Sequence, residues 1–208
     1  MLPMATSTTC RRNLEALRSA GWGLFLTPDR PERWGFDAVA IDNGAWGCFQ
    51  QGKPWQPEPW QALVEEHGHD ALFVIAPDVV CGGPASLELS VSWLPWCMER
   101  SRRVLLAVQD GMDAADLRPY LSDTVGLFIG GSTEWKEASL PMWGSLAAET
   151  GCWLHVGRVN SARRMLLCAM AGADSCDGTS ATRFSKNVPK LTRAARRGVL
   201  PLDLVGVR

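Results

Sequence analysis

A single (β/α) barrel of TIM-like type, with mostly parallel strands, is the fold class this sequence predicts, and three observations predict it. Short, nearly uninterrupted apolar runs recur along the chain, as strands buried on both faces require. Segments with helical spacing lie between them, which makes the class α/β. Polar residues gather just after several runs, at the strand ends where barrel enzymes carry their chemistry. The 208 residues suit one domain, 1–208, with a sizeable core.

Seven runs qualify as strands: Gly23–Thr27, Ala38–Asp42, Ala71–Ala76, Val104–Gln109, Val125–Gly130, Cys152–Gly157 and Ala173–Asp177. A barrel of seven or eight strands accommodates them; an open doubly wound sheet also places ligands at strand C-termini and stays as the other architecture. Helical spacing covers Arg11–Ala20 through Leu14 and Leu17, Ser86–Arg100 through Leu87, Val91 and Leu94, and Ser161–Ala171 through Leu166, Leu167 and Met170. Asn160 and Ser161 are N-cap residues for the last of these, and Gly172 suits its C′ position. Met1–Thr9 reads as a small, polar stretch without a strand or a secretory pattern.

With 46% apolar and 21% charged residues the chain has the balance of a soluble globular protein, and no run is long enough for a membrane helix. The expected location is the cytoplasm, that of the host if a phage encodes the protein. Seven scattered cysteines with no C-x-x-C pair read as free thiols in a reducing compartment. They supply no basis for a zinc site, and no G-x-G-x-x-G or G-K-[ST] pattern implies a nucleotide, so no cofactor is expected. Charge is uneven. Residues 1–155 carry a balance of −8 and residues 156–208 one of +7. That basic C-terminal segment, with Arg158, Arg183, Lys186, Arg193, Arg196 and Arg197, is expected to face a polyanion; a solvated helix face is the plainer explanation.

The strand ends bring together Asp42-Asn43-Gly44, Pro77-Asp78, Gln109-Asp110-Gly111, Gly130-Gly131, His155-Val156-Gly157 and Asp174-Ser175-Cys176-Asp177. Any one aspartate there can simply cap the following helix, and glycines after strands are ordinary turn residues. Cys48 and Cys176 read as wall residues. Convergence of carboxylates, an amide and two glycine turns on one mouth is harder to dismiss.

These residues resemble a family. Asp42-Asn43-Gly44-Ala45-Trp46-Gly47-Cys48-Phe49-Gln50 looks like the D-S-G-G-F-Q element of tRNA-guanine transglycosylases, with an insertion. Val108-Gln109-Asp110-Gly111 is similar to their V-Q-G-G turn, and Phe128-Ile129-Gly130-Gly131 to their following G-G loop. His155-Val156-Gly157, then Gly172–Asp177, then Ala181-Thr182-Arg183 resemble M-G-V-G, G-x-D-x-F-D-C and P-T-R. The fragments occur in the family's order from about residue 37 to 186.

The resemblance implies that Asp177 attacks the ribose anomeric carbon and that Asp42 donates and accepts the proton. It implies that Asp78 reads guanine N1 and the exocyclic amine, while Gln109, Gly130 and Gly131 meet O6 and its surroundings. The chemistry agrees: exchanging a base on a retained sugar needs a carboxylate nucleophile and a second carboxyl to shuttle the proton. Trp46, inside the Asp42 loop, is the aromatic nominated for base contact. Trp55, Trp60, Trp93, Trp96, Trp135 and Trp143 read as shell packing. Arg183 and the basic segment would hold phosphates around a base drawn out of its stack.

The C-x-C-x-x-C…H zinc subdomain of the tRNA enzymes has no counterpart, and their P-T-R proline is Ala181. The preferred reading is therefore the related 7-deazaguanine DNA transglycosylases (the DpdA family) of phages and bacterial DNA-modification clusters. They exchange guanine in DNA for a 7-deazaguanine such as 7-cyano-7-deazaguanine. Expected partners are DNA (alternatively tRNA), free guanine and the 7-deazaguanine base, with a homodimer or a partner subunit both compatible and no membrane. A non-catalytic nucleic-acid-binding barrel and a barrel enzyme acting on a small metabolite are the other classes; scattered basic residues would favour the latter.

Overall fold

Hydrogen bonding from strand to strand runs round a complete ring in the computed structural model, which describes residues 1–6, 8 and 10–197. Its strands are β1 (Leu2–Thr6), β2 (Gly23–Leu26), β3 (Val39–Ile41), β4 (Val74–Ile75), β5 (Val104–Val108), β6 (Val125–Ile129), β7 (Leu154–Val156) and β8 (Ser175–Asp177). All pair in parallel and in chain order, and β1 pairs with β8 to close the barrel. The helices are α1 (Arg11–Ser19), α2 (Ala45–Gln50), α3 (Pro57–His67), α4 (Pro84–Met98), α5 (Ala114–Leu117), α6 (Thr133–Thr150), α7 (Ala162–Met170), α8 (Thr179–Arg183) and α9 (Val188–Arg197). The barrel is thus the fold, with eight strands, and the open sheet is set aside.

The seven apolar runs each contain a strand. The eighth, β1, lies in the N-terminal stretch read as polar, and that reading is corrected. Met4 and Ala5 are fully buried, and Met4 pairs with Gly23 on one side and Asp177 on the other. Residues 6 to 9, Thr-Ser-Thr-Thr, dilute the apolar signal of Leu2–Ala5, and Pro3 argues locally against a strand. For α7 the expected caps hold: the Ser161 hydroxyl accepts from the Arg164 N–H, and Gly172 takes φ +78° just beyond the helix.

Side-chain alternation sorts the strands into two cores. Leu26, Ile41, Val74, Leu106, Val108, Leu127, Ile129 and Val156 point outward into the layer beneath the helices. Met4, Phe25, Ala40, Phe73, Ile75 and Leu105 point inward and fill the barrel. The same period aims Asp42 (two past Ala40), Gln109 (four past Leu105), Gly130 (two past Phe128) and Asp177 (two past Ser175) into the ring one layer higher. The tryptophans assigned to packing do pack: Trp60 meets Trp55, Trp93 and Trp96, and Trp135 meets Trp143. Among the described residues no helix is long and apolar enough to cross a membrane.

Met4, 0% exposed inside the ring, should be far more costly to truncate than Met170, which is 83% exposed. Met4→Ala is expected to lose about 2–5 kcal/mol and Met170→Ala no more than about 0.5 kcal/mol, measured by urea unfolding.

Candidate active site

Asp42 follows β3 and bends back on its own loop: its Oδ1 accepts the Gly44 N–H at 2.7 Å. Gly44 takes φ +78°, which favours glycine and lets the chain turn at once into α2. No other hydrogen bond supports the carboxyl among the described residues. Burial, together with the charges of Asp177, Asp78 and Asp29, outweighs the Gly44 bond and raises its pKa from 3.8 to about 7.

Asp78, after β4, is held by two amides. Its Oδ1 accepts from Asn43 Nδ2 and its Oδ2 from Gln109 Nε2, both at 2.8 Å. Burial raises its pKa, and these two hydrogen bonds work against that rise. Asn43 also donates to the Ala76 carbonyl, so the β3 and β4 ends are tied together.

Gln109 is 5% exposed and fully engaged. Its Nε2 also reaches the Val79 carbonyl (3.0 Å) and Ser86 Oγ (3.2 Å), while its Oε1 accepts from the Gly82 N–H. With both amide hydrogens spent, it orients Asp78 and has no donor for a guanine O6; that expectation is corrected. The Gly130 N–H is likewise spent, on the Val108 carbonyl. The Gly131 N–H enters no hydrogen bond among the described residues. Gly131 has φ +69°, and a Cβ there would lie 2.5 Å from Asp110 Oδ2.

Asp177 ends β8 with a side chain 13% exposed. Its Oδ1 accepts from the Arg158 N–H at 3.3 Å and lies 3.1 Å from His155 Nε2. Among the described residues Asp177 and Asp78 make no bond to the helix that follows them, whereas Asp42 holds the Gly44 N–H at the start of α2. Sequence reasoning missed His155 as a site residue. It is completely buried and ringed by Phe25, Phe73 and Phe128, with burial lowering its pKa although Asp177 opposes this. The available signal was a lone ionisable residue inside the apolar run Cys152–Gly157. Lys136 was missed too: it is 7% exposed, donates to the Gly157 carbonyl and is lowered to about 8 by burial. It braces the β7 loop from behind, beside a cavity of about 20 Å³ lined by Val156, Val159 and Cys168.

Two other expected site residues meet over the mouth. The Arg158 guanidinium sits 4.6 Å from the centre of the Trp46 ring, whose other neighbour is Phe49. Arg158 follows β7 and Trp46 follows β3, opposite strands of an eight-membered ring, so the pair spans the opening. Arg158 also donates to the Gly131 carbonyl and holds φ +58°, a strained backbone for a non-glycine residue.

The basic segment does not converge. Arg183 and Lys186 are exposed on the connections after β8. Arg163 and Arg164 are paired with Glu137 at 2.7 and 2.8 Å. Arg196 donates to the carbonyl of Ala20, at the end of α1 and hence at the opposite end of the barrel. Arg193 lies one turn before it in α9, beside a groove against α1. Arg193 and Arg196 are therefore corrected as mouth residues; the Arg197 side chain lies outside the described residues.

No protein-family model matches the chain, and no curated protein matches it. Among solved structures it is similar to 3-hexulose-6-phosphate synthase from Salmonella typhimurium, at TM-score 0.55 and 12% identity over 95% of this chain and 100% of that one. At that identity the likeness concerns the barrel fold alone.

Asp42 has a pKa raised by folding, so its effect on stability is favourable at low pH and lost as pH rises towards 7. The Asp42→Asn variant escapes that loss. Its unfolding free energy relative to the wild type should therefore climb between about pH 4 and 7 and level off above, as followed by denaturant unfolding at a series of pH values.

Proposed function

We propose that this protein is a base-exchanging transglycosylase that replaces guanine in DNA with a 7-deazaguanine such as 7-cyano-7-deazaguanine. The observation that carries the reading is the pair of inward carboxylates: Asp42, poised near pH 7, and Asp177, whose hydrogen bonds all fall on one oxygen.

Asp177 Oδ2 attacks C1′ of the target nucleotide as the C1′–N9 bond breaks, and protonated Asp42 gives its proton to the departing purine. The sugar is then held as an ester of Asp177. An incoming base loses its N9 proton to the Asp42 carboxylate and attacks C1′. The ester C–O bond breaks, and Asp177 returns as a carboxylate. A group that must be acid in one half and base in the other works best with a pKa near ambient pH.

Asp78 recognises the guanine edge. Each of its oxygens takes one amide hydrogen from Asn43 or Gln109 and retains a lone pair for guanine N1–H or N2–H. O6 falls to the Gly131 N–H. Trp46 offers a stacking face once Arg158 moves off it, and Arg158, Arg183 and Lys186 meet phosphates.

The dispersal of the basic residues favours a second reading, a barrel enzyme for a small metabolite. Against a phosphorylated one, the corner after β7 and β8 where barrels commonly hold phosphate is filled by Asn160, whose Oδ1 accepts from the Ser180 N–H.

Mass spectrometry of nucleosides from DNA and from tRNA, each incubated with the enzyme and candidate bases, separates these readings. Incorporation into DNA is expected; incorporation into tRNA alone would reassign the substrate, and none in either would favour the small metabolite. Asp177→Asn should abolish exchange, and Asp42→Asn should slow it by about 10² to 10⁴. Replacing Arg158, Arg183 and Lys186 together should weaken DNA binding and flatten its salt dependence by roughly one log–log unit for each phosphate no longer neutralised, whereas Arg196→Ala should leave both unchanged.

A further inference from the structure

Three side chains run up the inside of the barrel beneath Asp177. Trp153 Nε1 lies 2.9 Å from Ser175 Oγ, Ser175 Oγ lies 2.7 Å from His155 Nδ1, and His155 Nε2 lies 3.1 Å from Asp177 Oδ1. The donors order themselves. An indole N–H can only donate, so Ser175 Oγ accepts from Trp153. The serine's single hydrogen then goes to His155 Nδ1, which must be the unprotonated nitrogen. His155 is left with its proton on Nε2, directed at Asp177 Oδ1. The opposite tautomer would set a nitrogen lone pair against a carboxylate oxygen and leave the serine hydrogen without an acceptor.

We infer that Trp153, Ser175 and His155 form a one-way hydrogen-bond chain that fixes His155 as the neutral Nε2–H tautomer and makes it a positioning residue, selecting Oδ2 of Asp177 as the nucleophilic oxygen. The catalytic half of this inference rests on the transglycosylase reading. With the Arg158 N–H, His155 occupies Oδ1 and fixes the carboxylate plane, while Oδ2 accepts no hydrogen bond among the described residues. The same N–H stabilises the carboxylate that is released when the glycosyl ester breaks, so both half-reactions use it. The surroundings suit a fixed tautomer: the ring is 0% exposed, stacked on Phe128 at 5.2 Å and edge-on to Phe25. The charged groups facing it are Asp177 from β8 and Lys136 from α6.

The wiring is tested on the free protein by ¹⁵N NMR of its imidazoles. Of the three histidines, His69 is exposed and His67 half-buried, so neither shares the fully enclosed surroundings of His155. His155 is expected to show a protonated Nε2 and a bare Nδ1, unchanged from pH 5.5 to 8.5. Ser175→Ala should introduce the other tautomer, and Asp177→Ala should move the Hε2 resonance upfield. A His155 that gains a second proton within that range, or carries its proton on Nδ1, overturns the chain.

The role is tested by guanine exchange. His155→Leu should lower kcat about 10- to 100-fold, the equivalent of one hydrogen bond to a charged group, with KM for guanine unchanged. His155→Gln, whose Nε2 can donate from a similar place, should recover to within about 3-fold. A folded His155→Leu protein with wild-type kcat would overturn the positioning role. Absence of exchange in the wild type would instead remove the transglycosylase reading and with it that role, leaving NMR to decide the hydrogen-bond chain.

Discussion

Pairing of β1 with both β2 and β8 turns eight short strands into a ring, and once the ring is closed each strand has one inward and one outward face. The site follows from that constraint. Ala40, Phe128 and Ser175 occupy inward positions, so Asp42, Gly130 and Asp177, each two residues on, arrive together at the mouth although they lie up to 135 residues apart in the chain. Several strands are only two or three residues long. Their register is therefore fixed by closure and by the aromatic filling of the barrel, where Phe25 and Phe73 meet edge to face at 5.7 Å.

Carboxylates gathered in this way repel one another, and the structure answers each differently. Asp78 receives an amide from the strand on either side, through Asn43 and Gln109. Asp177 receives the Arg158 N–H and sits against His155. Asp110 leaves the mouth to bind the N–H and hydroxyl of Ser132 at the start of α6. Asp42 has only the Gly44 N–H, and it is Asp42 whose pKa reaches about 7. Unequal hydrogen bonding thus gives similar side chains different surroundings, which in the proposed function suit a recognition group, a nucleophile and a proton carrier.

Much of this was legible in the sequence because it depends on local pattern. Strands buried on both faces read as apolar runs, and the residue closing each run reads as a mouth residue; Asp42, Asp78, Asp177 and Gly131 were found in this way. What was hidden depends on partners distant in sequence. β1 becomes a strand because β2 and β8 need a neighbour, not because Leu2–Thr6 has a strong pattern. Gln109 lies where expected, but Val79, Gly82 and Ser86 consume its amide, which no local motif reveals. The basic segment read as one surface because its charges are close in sequence. In space α9 carries Arg193 and Arg196 down the barrel, away from Arg158, while Arg163 and Arg164 at the start of α7 are taken up by Glu137.

In the proposed function the two carboxylates act on one sugar, and Asp177 becomes bonded to it. Intact-mass analysis after incubation with a short guanosine-containing DNA, in the absence of incoming base, reads this directly. A denaturation-resistant increase equal to the oligonucleotide less guanine, mapped by peptide fragmentation to Asp177 and missing in Asp177→Asn, is expected. Sustained base exchange with no such adduct, or with the sugar bonded to another residue, would contradict it.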